Sequence, residues 1–216
     1  MYRISLFVED RGHEVFLRAL IERLAKHYDV LIDMKFLSAR GGHGKVISQL
    51  KGYSASLQKS QLHLPDLVIV AIDGNCKGFL ECKQEIDSVM KGFSGQIIYA
   101  IPDPHIERWL LLDSMAFKTV LGKGCSAPAQ KCERDLYKRL LLDAVRKAGI
   151  NPPLGGIEYT EELVHAMDLQ RLEQNGDSLS RLLSELRHMF QAWERNARKE
   201  SPYAREAPNP DHFPHE

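Results

Sequence analysis

LVIVAIDGN, residues 67–75, is the stretch on which the fold turns. Every position from Leu67 to Ile72 is apolar. A strand with one face in water alternates apolar and polar residues; an unbroken apolar run instead suits a strand covered by helices on both faces, as in the middle of a parallel sheet. Working outward, residues 3–8 (RISLFV) and 29–37 (DVLIDMKFL) read as strands before it, and residues 96–101 (QIIYAI) as a strand after it. Helical spacing fills the intervals. Val15, Phe16, Leu20, Ile21 and Leu24 share a face within residues 12–27, Val46, Ile47, Leu50, Tyr53 and Leu57 do so after the glycines of ARGGHGK, and residues 78–92 supply a third helix. The order β-α-β-α-β-α-β predicts an open, mainly parallel four-stranded α/β sheet flanked by helices, with right-handed crossovers.

Past the fourth strand the pattern is helical. HIERWLLLDSMAFKTVLG at 105–122 reads as one helix, residues 131–148 as a charged amphipathic helix, NPPLGG at 151–156 as a break, and 160–196 as mostly helix interrupted near Asn175 and Gly176. Residues 1–122 are therefore expected to form the α/β domain, 123–200 a C-terminal helical extension packed on it, and the proline-rich 201–216 a disordered tail. The apolar face of the last helices (Leu163, Met167, Leu172, Leu179, Leu182, Leu183, Leu186, Phe190, Trp193) suits a core or a homodimer contact.

Composition narrows the functional classes. The 216 residues carry 29 basic and 29 acidic side chains and 44% apolar residues, so a polybasic nucleic-acid binder is excluded while an enzyme gripping DNA or RNA locally is not. No apolar stretch nears the roughly 18 residues a membrane helix needs. Two acids directly after the first apolar run are foreign to a signal peptide, so a cytoplasmic protein without membrane contact is expected. Cys76, Cys82, Cys125 and Cys132 form no CxxC pair, and reduced thiols are expected.

In open α/β sheets ligands gather beyond the carboxyl ends of the strands, and the acids fall there. Glu9 and Asp10 follow the first strand, Asp73 the central one and Asp103 the fourth, with Glu107 one helical turn on. Carboxylates brought together without fixed bases repel one another unless a cation neutralises them, and an all-oxygen set favours Mg²⁺ or Mn²⁺. Such ions position a phosphodiester and activate water, commonly as a pair about 3.5–4 Å apart. The competing reading makes Asp10 and Asp103 helix caps. Arg11, Arg40, Lys45, Lys77 and Arg108 lie beside these acids, either to hold substrate phosphate or in ordinary ion pairs. GGHGKV is not a P-loop, because Ala39 and Val46 occupy its glycine and Ser/Thr positions; the turn is either plain or a cradle of N–H groups for phosphate. His13 and His43 read as surface residues at helix starts, with a proton-shuttling role as the alternative.

LFVEDRGHEVFLRALIERL followed by VIVAIDGN resembles the Toprim fold shared by topoisomerases, primases and nucleases of the overcoming-lysogenization-defect type, over about the first half of the chain. The resemblance implies a general acid or base at Glu9 and Mg²⁺ held at Asp73, with Asn75 where the family has a second Asp. IPDPHIERWLLLD further resembles an element of small Toprim-related proteins from bacterial defence and mobile-element loci, which implies that Glu107, with Asp103 second, supplements the site. The activity implied is a Mg²⁺-dependent nuclease of antiviral defence, with Glu9, Asp73 and Glu107 as catalytic acids, Glu9, Asp73, Asn75, Asp103 and Glu107 around metal, nucleic acid as substrate and a separate ATPase as partner. A non-catalytic Toprim-like scaffold is the alternative. A phosphatase with Asp73 as nucleophile is a third reading, without the usual DxDx(T/V) motif.

Overall fold

A computed structural model describes residues 1–38, 41–59, 64–126, 129–133, 135–174 and 177–200. Arg40, the interruption at 175–176 and the tail 201–216 lie outside the described residues. Four strands, β1 (Tyr2–Val8), β2 (Ile32–Ser38), β3 (Leu67–Ala71) and β4 (Ile97–Ala100), form one parallel sheet in the order β2-β1-β3-β4. The fold is α/β, with helices on the sheet and at the C-terminal end of the chain.

β1 and β3 are the inner pair, in register from Ile4 opposite Leu67 to Val8 opposite Ala71. Their side chains divide between two cores. Ile4, Leu6, Val8, Leu67, Ile69 and Ala71 face a large cluster, while Phe7, Val68, Val70 and Ile72 face a smaller one. The smaller core is closed by α2 (His43–Lys59) and α3 (Gly78–Val89) through Val46, Leu50, Cys82 and Ile86. Full burial of such side chains stabilises by about 1.5–3 kcal/mol each, which is why β3 tolerates no polar position.

The large core joins α1 (Arg11–His27) to the helices of the second half: α4 (Ile106–Leu111), α5 (Ser114–Leu121), α6 (Leu136–Lys147), α7 (Thr160–Ala166), α8 (Leu169–Gln174) and α9 (Ser178–Glu200). Arg23 on α1 donates to the last carbonyls of α7, at Val164 and Met167, both at 2.7 Å. Tyr2 stacks on Trp193 with ring centres 4.4 Å apart. All nine apolar residues assigned to a core or a dimer contact, from Leu163 to Trp193, are at most 5% exposed. Of the two uses expected for that face, a core is the one they serve here, within this chain.

Three boundaries differ from the expectation, among them the charged helix expected from residue 131, which begins at Leu136. The strand expected from residue 29 begins at Ile32, because α1 closes with Tyr28 N–H on Leu24 and Val30 N–H on Ala25 around Asp29 at φ 52°. The single helix expected over 105–122 is two, broken at Asp113. That carboxylate, 1% exposed, accepts from the N–H groups of Met115 and Ala116 to cap α5, and from Asp168 N–H and Arg171 ahead of and within α8.

Candidate active site

The register of β1 with β3 brings Glu9 and Asp73 together. Glu9 N–H extends the ladder by donating to Ala71 at 3.0 Å, and its carboxylate crosses to the next strand end, where Oε2 accepts from Asp73 N–H at 2.9 Å. Oε1 accepts from His43 N–H, the first of α2, at 3.1 Å. Gly42, at φ 78°, makes the turn that delivers this N–H. The glycine-rich turn thus presents His43 N–H to a carboxylate of its own chain. Lys45 is exposed on the next turn of backbone.

Asp73 is buried, and both of its carboxylate oxygens have partners. Oδ1 accepts from Ile106 N–H at 3.0 Å, at the start of α4, and lies 3.3 Å from His13 Nε2; Oδ2 lies 3.1 Å from His105 Nδ1. Burial opposes ionisation of Asp73, but the hydrogen bonds and charges of His105 and His13 outweigh it and hold the carboxyl far below the usual carboxylate range. His13 has no exposed surface, and its Nδ1 sits 2.8 Å from Asp10 Oδ1. Burial alone would strip its proton, yet Asp10 and Asp73, one at each ring nitrogen, push its pKa up to about 10. His105 is raised too, chiefly by its bond to Asp73. Asp10, His13, Asp73 and His105 therefore form a continuous row of alternating acids and bases.

That row corrects two expectations. His13 is a buried link, not a surface histidine. The acids are also not without fixed bases. Asp10 does cap α1, accepting from His13 N–H at 3.0 Å, and the same three-residue spacing lets the imidazole reach back to the capping carboxylate. The Asp10-x-x-His13 spacing was the available signal; nothing local marks His105 as a partner of Asp73.

The remaining predicted residues divide into groups. Glu107, in the first turn of α4, is 8% exposed, and its Oε2 has no hydrogen-bond partner among the described residues. Burial raises its pKa, and the charge of Asp73 adds to this. It lines a cavity of about 430 Å³ with Asp10, Arg11 and Lys138. Asp103 instead lines a separate pocket of about 150 Å³ with Cys76, Lys77 and Cys132. Asn75 is exposed at φ 43°, donating its N–H to Pro104 and its side chain to the Asp73 carbonyl at 3.4 Å. Lys77 lies 3.7 Å from Glu85, which also meets His43 at 2.8 Å. Arg108 is buried and turned into the helical layer, 3.7 Å from Asp177. Among the described residues no three His, Cys, Asp or Glu side chains are grouped as a metal site would require.

Cys76 and Cys132 are joined by a disulfide, with Cα atoms 5.6 Å apart, which overturns the expectation of four reduced thiols. The loop after β3 and the loop before α6 meet at the same edge, an encounter invisible in the spacing. Cys82 and Cys125 are free thiols, both pushed up by burial.

Residues 8–187 match the family described as a domain of unknown function (DUF4276). The chain belongs to that family. The DUF4276 match takes in Glu9, the row from Asp10 to His105, Glu107 and the C-terminal helices into α9, so the acids and the helices around them fall within one family unit. No curated protein and no solved structure matches the chain.

Proposed function

We propose that the chain is a Mg²⁺-dependent nuclease of Toprim-like fold, hydrolysing phosphodiester bonds of DNA or RNA and acting with a separate ATPase in a bacterial defence system. The observation that supports this reading is the pairing of Glu9 with Asp73 at the carboxyl ends of adjacent inner parallel strands, tied by the 2.9 Å bond between them.

The residues fit one hydrated ion better than a dense pair. Each Glu9 oxygen accepts one backbone N–H and has capacity for more, while the Asp73 carboxylate has hydrogen bonds with Ile106 N–H and the His105 ring and His13 Nε2 at ion-pair distance. Mg²⁺ keeps most of its waters and needs only one or two carboxylates plus substrate phosphate, so Glu9 and Asp73 suffice to hold it. When bound, it would supply a polarised phosphoryl oxygen and an activated water. Glu9, oriented by two backbone N–H groups, takes or returns the proton of the attacking water. His13 holds Asp73 ionised and in place. Arg11 and Lys138 stand beside the acids to meet substrate phosphate.

Plasmid, single-stranded DNA and RNA incubated with Mg²⁺ or Mn²⁺ test the reading. Glu9→Gln and Asp73→Asn are expected to lower cleavage by about 10²-fold or more, the range for loss of a general base. Cleavage that survives both substitutions would sink the proposal.

The basic surroundings of Asp73, with His13 and His105 at its two oxygens and Ile106 N–H donating to one of them, support a second reading, a non-catalytic scaffold that binds an ATPase or nucleic acid. Calorimetry separates the two: heat of Mg²⁺ or Mn²⁺ binding that disappears in Asp73→Asn belongs to the nuclease, and stable capture of an ATPase without metal binding to the scaffold.

A further inference from the structure

The sheet has two edges, and they differ. β4 spans only Ile97–Ala100 and has α9 packed against it. β2 spans Ile32–Ser38, and among the described residues no strand lies on its outer side. The ladder fixes which of its backbone groups are left over. Tyr2 N–H donates to the Leu31 carbonyl at 2.8 Å, so with Tyr2 opposite Ile32 the odd-numbered residues Leu31, Asp33, Lys35 and Leu37 turn their peptide groups toward β1. Ile32, Met34 and Phe36 turn theirs outward, since successive residues of a strand alternate. Such a row is a template for another strand. The side chains say which strand fits. Asp33 and Lys35 are exposed on the face that carries α2, and among the described residues neither has a hydrogen bond or an ion pair. Arg3, the neighbour of Asp33 across the ladder, donates from its guanidinium to the Leu64 carbonyl at 2.8 Å. On the same face Leu31 is 76% exposed and Leu37 half-buried. The other face carries Ile32, Met34 and Phe36, half-buried against the core of α1, with the Arg18 guanidinium 4.2 Å from the centre of the Phe36 ring.

We propose that β2 pairs antiparallel with β2 of a second copy of this chain, about a two-fold axis at Met34, joining the two four-stranded sheets into one. A closed two-fold contact is self-complementary, so the strand must fit its own reverse. Centred on Met34, it does. Met34 of each copy exchanges backbone hydrogen bonds with Met34 of the other, and Ile32 with Phe36, all of them residues whose peptide groups turn outward. Asp33 of each copy falls opposite Lys35 of the other, in a non-hydrogen-bonded pair, where facing side chains come closest. Leu31 meets Leu37. An axis at Asp33 would set two aspartates face to face, and one at Lys35 two lysines, so charge selects a single register. Charged residues on an edge strand often keep chains apart. Here the two are of opposite sign and two residues apart, so a reversed copy neutralises both. Because the strands run in opposite directions, the two Glu9–Asp73 pairs lie on opposite sides of the assembly and neither copy completes the other's site. The pairing therefore stands apart from the nuclease reading.

Sedimentation equilibrium of the full chain from about 1 to 100 μM reads the assembly. A mass of twice 24.6 kDa is expected at the upper end. D33K leaves only cations facing one another across the axis and K35D only anions, and each is expected to weaken dimerisation by about tenfold or more. An equimolar mixture of the two variants restores opposite charges at every facing position, so a mixed dimer about as tight as the wild type is expected. The double variant D33K/K35D, which exchanges the pair, should also recover the dimer. Met34→Pro removes an outward N–H without touching the ladder to β1, and should give a monomer with an unchanged circular dichroism spectrum. If that variant does not fold, the reversals at the two exposed positions carry the test alone. A monomer at about 100 μM, a dimer indifferent to both single reversals, a dimer that survives a folded Met34→Pro, or no association in the mixture each overturns the proposal.

Discussion

His13 shows how far one side chain's meaning depends on its neighbours. In water its pKa of 6.5 would leave it mostly neutral at pH 7, but between Asp10 and Asp73 it is raised to about 10. A group raised on folding contributes stability that is complete below its unfolded value and is lost as pH rises through its folded one. Asp73 is lowered on folding, so its contribution is complete above about 3.8 and is lost as pH falls below that. The row is therefore expected to stabilise most between these limits, with the thermal midpoint falling from pH 6.5 toward 10. In His13→Gln, which keeps a donor for one carboxylate, that alkaline slope should flatten. Thermal melts followed by circular dichroism across this range decide the matter, and identical slopes in the two proteins would exclude an imidazolium at His13.

Among the elements, the break at Asp113 matters most, because it stops α4, the helix that carries Ile106 and Glu107, and starts α5. Its buried carboxylate serves two N–H groups of α5, one of Asp168 and the guanidinium of Arg171. These partners hold it below the usual range against the opposing effect of burial. Asp113→Ala is expected to destabilise by about 2–4 kcal/mol, the loss of a helix cap together with unmet buried donors. Asp113→Asn, which can still cap α5, should lose roughly half as much. Urea denaturation measures both, and equal effects would mean that the cap is not the reason for the break. A lone Asp within an apolar helical pattern is compatible with a solvent-facing position or a cap, and periodicity does not distinguish them. The helix expected over 105–122 was thus one where the structure has two.

Across the whole molecule, the Cys76–Cys132 disulfide ties the loop that follows Asp73 to the segment before α6, 56 residues away. Closing such a loop typically stabilises by about 2–4 kcal/mol. Alkylation under denaturing, non-reducing conditions is expected to label Cys82 and Cys125 only, and reduction to lower the denaturation midpoint accordingly. Labelling of all four cysteines without reductant would show that the bond is not formed.

The strands, the helices of the first half and the candidate acids were legible in the residues because each is a local pattern: an unbroken apolar run at 67–72, helical spacing within 12–27, an acid directly after a strand. With a parallel sheet, those patterns place Glu9 and Asp73 at the same edge. Tertiary structure alone decided which neighbours those acids meet. His105 reaches Asp73 across 32 residues, Cys132 reaches Cys76 across 56, and Arg108 lies 3.7 Å from Asp177. Such contacts follow from how helices pack on a sheet, a balance of burial and electrostatics over the whole chain, and no short window of sequence carries it.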